Sequence, residues 1–218
     1  MASPLLFSTF VVTKQAFFRT STTAAIVNLK PLVPGQLDID DFFVIGAGFL
    51  GRIFAYIPYK KCGVSTDILV IPNRVVPRFA DLTPSEVASL FTSVQVVGKV
   101  VQTAYQAEGL TIACQDGKAA GQSVPHVHVH IIPRKASGDR FANNDNVYPE
   151  LETQGSTMQD AMHQASSTPE GASSTSFNNI SDRGGFMIDD ELRKPRSLED
   201  MEKEAEWLRS FFEDQSEE

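Results

Sequence analysis

The spacing of apolar residues changes along the chain, and each change predicts a different element. Between residues 7 and 33, short apolar segments (Phe7 to Val12, Phe17-Phe18, Ala24 to Leu29) are broken by Thr, Ser and Lys and end at Pro31 and Pro34-Gly35. That is the pattern of strands joined by tight turns. Beyond Pro72-Asn73 the period lengthens: Val87, Leu90, Phe91, Val94, Val97, Val101, Ala104 and Tyr105 recur at three and four. Ahead of them, Thr83-Pro84-Ser85-Glu86 supplies an N-cap, a proline at the first helical position and a glutamate three residues after the cap. A helix is predicted over 84–107, stopped by Gly109. Leu110 to Cys114 then reads as a short strand, with Cys114 as a small buried hydrophobe. Asp116-Gly117 reads as a turn, and 118–124 as a glycine-containing loop. The loop delivers the chain into Pro125-His126-Val127-His128-Val129-His130-Ile131-Ile132-Pro133. Val and Ile at alternate positions favour a strand there, which places His126, His128 and His130 on one face and the aliphatics in a core.

From about residue 152 to 189 the composition shifts to Ser, Thr, Gln, Asn and Gly, too polar to offset the entropy of ordering, so disorder is expected. Ser197-Leu198-Glu199-Asp200 then caps a last helix, whose stripe of Met201, Ala205, Leu208 and Phe212 should dock on the domain. The expected organisation is an α+β domain over 1–150, a disordered linker over 151–192 and a docking helix within 193–218. The domain should be an antiparallel sheet with the long helix packed on it.

Composition narrows the function classes. The formal charge of −8, from 27 acidic and 19 basic residues, argues against broad binding to nucleic acid or anionic membrane through phosphate contacts. Cys62 and Cys114 are too few for a disulfide framework, which fits a reducing compartment: the cytoplasm, or cytoplasm and nucleus. Residues 1 to 12 lack a basic n-region and read as a strand, not a signal peptide. The apolar stretch 42–57 carries Arg52 and three glycines and is too short to span a bilayer comfortably.

Three of the chain's four histidines lie in the run at 126–130, and three readings compete for them. One is a hydrogen-bonded row on a sheet face. Another is a metal site, since imidazole is a common zinc ligand. Adjacent side chains on one straight strand diverge, however, and the remaining histidine, His163, falls in the polar stretch. The last is covalent catalysis at phosphorus, in which a neutral imidazole attacks and its neighbours manage phosphate charge. The loop Gly121-Gln122-Ser123 immediately before the run offers amides, a carboxamide and a hydroxyl, and favours this reading.

These residues resemble the histidine triad superfamily, whose signature His-φ-His-φ-His-φ-φ is matched by His126 to Ile132. Its Fhit branch, the dinucleoside triphosphate hydrolases, is similar also at Ala25 to Gly35, at Gln115-Asp116-Gly117 with Gly121 to Val124, and at Pro133-Arg134-Lys135. The resemblance implies a HIT-like fold, a homodimer, and His128 as the nucleophile that takes AMP from the substrate's α-phosphate. His126 would order the strand and the tautomer of His128, and His130 would contact the transferred phosphate. Asn28 would meet the ribose, and Gln115, Gly121, Gln122, Ser123 and Val124 the phosphates. The implied substrate is diadenosine triphosphate, or a related dinucleoside polyphosphate, split by water to AMP and ADP. A divalent cation, Mg or Mn, would ride on the polyphosphate with no metal site in the protein. Two alternatives stand beside this: a Hint-like nucleoside phosphoramidase, and a nucleotide-binding signalling protein with slow turnover.

The chain departs from that pattern at one place. The family runs from Pro-Gly-His directly into a strand, whereas here Pro34-Gly35-Gln36 is followed by about thirty extra residues before Ile68 resumes the strand. Residues 37–67 are expected to be an insertion or translated intron sequence. They contain Gly46, Gly48 and Gly51 in a G-x-G-x-x-G spacing, but Pro58 would cut short the helix a dinucleotide site requires.

Overall fold

The computed structural model describes residues 3–29, 67–136, 141, 147–149, 151 and 197–213. The expected insertion lies outside these residues except for Asp67, as do Gln36, the glycines of the G-x-G-x-x-G run, the stretch expected to be disordered over 152–189, and His163. In chain order the elements are β1 (Leu6–Phe7), β2 (Phe10–Val11), β3 (Ala16–Arg19), β4 (Thr23–Val27), β5 (Ile68–Pro72), α1 (Pro84–Ala104), β6 (Gly109–Cys114), β7 (Val129–Arg134) and α2 (Leu198–Glu213). Strands β1 and β2 form a hairpin, and the rest form an antiparallel sheet in the order β3-β4-β5-β7-β6. The expected α+β class is the one observed.

The two-residue period of the strands divides the sheet into two buried faces. Ile68 and Val70 of β5, with Val129 and Ile131 of β7, pack against Leu90, Val94, Val97 and Val101 of α1 and Met201, Ala205 and Leu208 of α2. Leu69 and Ile71 project the other way and join Leu5, Phe7, Phe10 and Val12 of the N-terminal hairpin, with Val124. The apolar run at the N-terminus is therefore two short strands and not one, folded back at Ser8, which adopts a left-handed φ of 57°. The hairpin covers the face opposite the helices, and His130, paired in register with Leu69, projects to that face.

Helix α1 begins as the sequence predicts. Glu86 N–H donates to Thr83 Oγ1 over 3.3 Å and Thr83 N–H to Glu86 Oε2 over 2.9 Å, a reciprocal capping box. Arg74 grips the same carboxylate from outside at 2.8 and 2.7 Å. The C-terminus differs from expectation: the helix closes at Ala104, and Gly109 is the first residue of β6. Gln106 takes the left-handed conformation (φ 50°), and Ala107 N–H reaches back to Gln102 C=O over 2.9 Å, the long bond of a Schellman motif. At α2, Ser197 Oγ accepts from Asp200 N–H over 3.0 Å, and the Tyr105 hydroxyl donates to the buried carboxylate of Glu204.

Two further expectations are corrected. Cys114 is exposed, because β6 is the outer strand among the described residues and alternate side chains there face away from the core. The ladder of β7 begins only at Val129, so His126 and His128 precede the regular strand. The reason is local. Val127 N–H donates to Val76 C=O outside the sheet, and the carbonyl of His126 is taken up by the side chains of His128 and Gln122.

Candidate active site

His126 is buried and bonded at both ring nitrogens. Ser8 N–H donates to Nδ1 over 2.9 Å, and the ring reaches Pro72 C=O from Nε2 over 3.0 Å. A backbone N–H can only donate and a carbonyl can only accept, so the proton of His126 resides on Nε2. The same logic assigns His128. Its Nδ1 lies 2.7 Å from the carbonyl of His126, so Nδ1 carries the hydrogen and Nε2 keeps a bare lone pair. Phe7 of β1 packs on both rings, tilted on His126 at 5.5 Å and edge-on to His128 at 5.4 Å between centroids.

Both rings are held neutral. Burial pushes the pKa of His126 down to about 4 against the pull of neighbouring carbonyls. Burial, reinforced by the adjacent His130, pushes that of His128 down to about 3. A nucleophilic imidazole must be neutral, and this one is so across the whole range in which enzymes ordinarily work.

His130 is 5.1 Å from His128 between centroids, its plane turned by 70°. Its Nδ1 lies 3.1 and 3.0 Å from the two carboxylate oxygens of Asp67, and its Nε2 is buried with no hydrogen-bond partner. Asp67 also accepts from Asn28 Nδ2 over 2.6 Å. The antiparallel register of β4 and β5 arranges that contact: Val27 pairs with Ile68, and Asn28 N–H continues the ladder to Asp67 C=O over 3.1 Å. Asn28, expected at the ribose, thus belongs to a buried chain of groups that runs through Asp67 to His130.

The loop ahead of the histidines is tied down by its own residues. Gln122 accepts from Gly117 N–H over 2.7 Å and donates to Pro77 C=O over 2.8 Å, which commits its carboxamide to the frame. Asp116 accepts from Arg78 over 3.0 and 3.1 Å and from Phe79 N–H over 2.8 Å, and these contacts, led by the Arg78 hydrogen bond, hold its carboxyl below the usual range. Gly121 takes a left-handed φ of 86° that closes the 3-10 turn Lys118–Ala120. Ser123 Oγ is buried and has no partner, and Val124 is buried beside the hairpin with its carbonyl accepting from His126 N–H over 2.8 Å. Gln115 is partly buried, one residue past the last ladder pair, Cys114 with Val129. Among the described residues, His128 Nε2, His130 Nε2 and Ser123 Oγ are side-chain polar atoms of the site that no protein group engages.

A metal would find a poor set of donors here. Both nitrogens of His126 and the Nδ1 atoms of His128 and His130 are already engaged by the protein, so the three rings cannot close on one ion without breaking those bonds. Among the described residues no group of three or more His, Cys, Asp or Glu is arranged to hold a metal ion.

Sequence reasoning missed four participants: Phe7, Ser8, the carbonyl of Pro72 and Asp67. The first three act through packing or backbone atoms and leave no motif. Asp67 had one signal, its place immediately before the apolar run of β5.

Comparison with known proteins gives a consistent result. A model of the HIT domain matches residues 59–137. The chain is 40% identical over 219 residues to a Schizosaccharomyces pombe protein named bis(5'-nucleosyl)-tetraphosphatase (asymmetrical), covering 100% of this chain and 99% of that one. It is 34% identical over 200 residues to the Dictyostelium discoideum bis(5'-adenosyl)-triphosphatase, covering 92% and 87% of the two chains. Among solved structures, the C. elegans NitFhit protein is similar at 31% identity and a TM-score of 0.47, covering 72% of this chain and 31% of that one.

Proposed function

The chain belongs to the HIT family, and on that premise we propose that it hydrolyses dinucleoside polyphosphates, diadenosine triphosphate first among them, through a nucleotidyl-histidine on His128. The observation that carries this reading is the bond from His128 Nδ1–H to the His126 carbonyl, which leaves Nε2 as the attacking nitrogen. Attack at the α-phosphate releases ADP and leaves AMP on His128; water then cleaves the phosphorus–nitrogen bond and frees AMP. The hydroxyl of Ser123 and the Nε2 of His130 are suited to the phosphate oxygens, and the carboxamide of Gln122 acts by holding the loop. Mg or Mn is proposed to travel with the polyphosphate, bound by its oxygens, where it would neutralise part of the substrate's charge.

A homodimer is proposed as well, supported by β6, which among the described residues pairs on one side only and leaves Ile112 50% exposed. The expected location is the cytoplasm, or cytoplasm and nucleus; no described helix is long and apolar enough to cross a membrane.

The test is direct. The full chain is incubated with diadenosine triphosphate and Mg, AMP and ADP are followed, and acid-quenched protein is searched by mass spectrometry for AMP on the peptide containing His128. His128→Ala should lose both adduct and turnover while retaining AMP binding. Normal turnover in that variant would remove the assignment. A stoichiometric burst followed by negligible turnover would favour the slow signalling alternative.

A further inference from the structure

Asp67 is a buried carboxylate whose three side-chain contacts all go to two residues of the site. Its oxygens accept from His130 Nδ1–H at 3.1 and 3.0 Å and from Asn28 Nδ2 at 2.6 Å. A neutral partner would suffice to orient a ring, as the His126 carbonyl does for His128. A carboxylate costs more to bury and adds what a carbonyl cannot, a full negative charge behind the imidazole. The other nitrogen of that imidazole, Nε2, is buried and without a partner next to the attacking ring.

We infer that Asp67 is a positioning residue for the reaction: it fixes His130 with Nδ1–H inward and Nε2 toward the reacting phosphate, and its charge lets His130 carry a second proton for the departing nucleotide. This rests on the reading of His128 given above. In the first half, His128 Nε2 forms a bond to the α-phosphorus as the bond to the bridging oxygen breaks. The proton on His130 Nε2 passes to that oxygen, and His130 is left neutral with Nδ1–H still on Asp67. In the second half, water adds to phosphorus as the bond to His128 breaks. The water proton passes to His130 Nε2, which restores the starting state. Substrate plus water gives two nucleotides, and no proton is lost from the site. Asn28, held by the same carboxylate, keeps Asp67 from swinging out of line with the ring.

The experiment compares two leaving groups on the full chain. ADP leaving from diadenosine triphosphate profits from a proton, whereas p-nitrophenolate leaving from the p-nitrophenyl ester of AMP does not. Asp67→Asn offers an amide that can hold the wrong tautomer. It should lower kcat on diadenosine triphosphate by about 100-fold or more and on the ester by less than about tenfold. Asp67→Glu, which keeps the charge, should recover part of the loss on the dinucleotide. An equal fall on both substrates would show a merely structural role, and no fall would show none; either overturns the proposal. His128→Ala fails separately: adduct formation with the ester in that variant would sink the nucleophile assignment and leave the comparison of leaving groups standing. If Asp67→Asn does not fold, long-range proton–nitrogen spectra of the unaltered chain decide. A His130 ring protonated at one nitrogen alone would overturn the assignment, and protons on both Nδ1 and Nε2 would uphold it.

Discussion

The backbone N–H of Ser8 donates to Nδ1 of His126 across 2.9 Å, joining groups 118 residues apart in sequence. Through it the N-terminal hairpin decides the tautomer of His126, whose carbonyl in turn decides that of His128. Two substitutions separate the donor from the side chain. Ser8→Gly keeps the N–H and relieves the left-handed φ of 57°, so unfolding should shift by no more than about 1 kcal/mol, to the stable side. Ser8→Pro removes the donor and cannot adopt that φ. It should destabilise by about 2 kcal/mol or more and slow adduct formation on His128, measured by thermal unfolding and rapid quench.

Stability should fall on acidification while His126 and His128 are still neutral in the fold. In the unfolded chain His126 and His128 take up protons near pH 6.5, whereas in the fold they resist until about 4 and about 3 because burial disfavours the cation. Between those limits the unfolded state binds more protons, so stability is complete above the unfolded value and drains away as pH drops through the window. Each ring contributes up to about 1.4 kcal/mol per pH unit. Urea titrations from pH 7 to 4 on the native chain and on His126→Gln should show a shallower slope in the variant. Parallel slopes would contradict the assignment.

Gly117 is a tight point in the turn ahead of the histidines. Its φ is +90°, and a Cβ there would come within 3.0 Å of the Arg78 guanidinium carbon. Gly117→Ala should cost about 1 to 2 kcal/mol from backbone strain alone. It should lower kcat/KM further, because the Gly117 N–H holds Gln122, and Gln122 ties the loop to the frame. Steady-state kinetics set beside the unfolding midpoint would separate the two effects.

The C-terminal helix should be integral to the domain. Leu208 is fully buried among residues of the sheet and α1. Leu208→Ala should cost about 2 to 5 kcal/mol by lost burial and the cavity left behind. Chemical denaturation measures this, and a cost near zero would mean that α2 docks only loosely.

What could be read from the sequence is what local chemistry decides. The start of α1 was legible because Thr83 and Glu86 cap each other within one turn, and its buried stripe because the period is uninterrupted. Its end was not, because Gln106 adopts a conformation for which glycine is the usual marker. The three histidines announced a site, but their individual protonation could not be read, since Ser8, Pro72 and Asp67 are brought to them only by the folded sheet. Cys114 looked like a core residue because the sequence does not reveal that β6 lies outermost among the described residues.

Strand β5 has a consequence beyond its hydrogen bonds to its neighbours. Asp67, at its entrance, holds His130, and the carbonyl of Pro72, its last residue, holds His126. The two histidines that flank the nucleophile are thus anchored to opposite ends of one five-residue strand. Its length works as a ruler, setting how far apart the outer imidazoles stand on either side of His128. Adding or removing one residue within β5 would change that gauge and also turn Leu69 and Ile71 toward the helices. The spacing of the outer histidines is therefore written in a stretch of plain aliphatic residues.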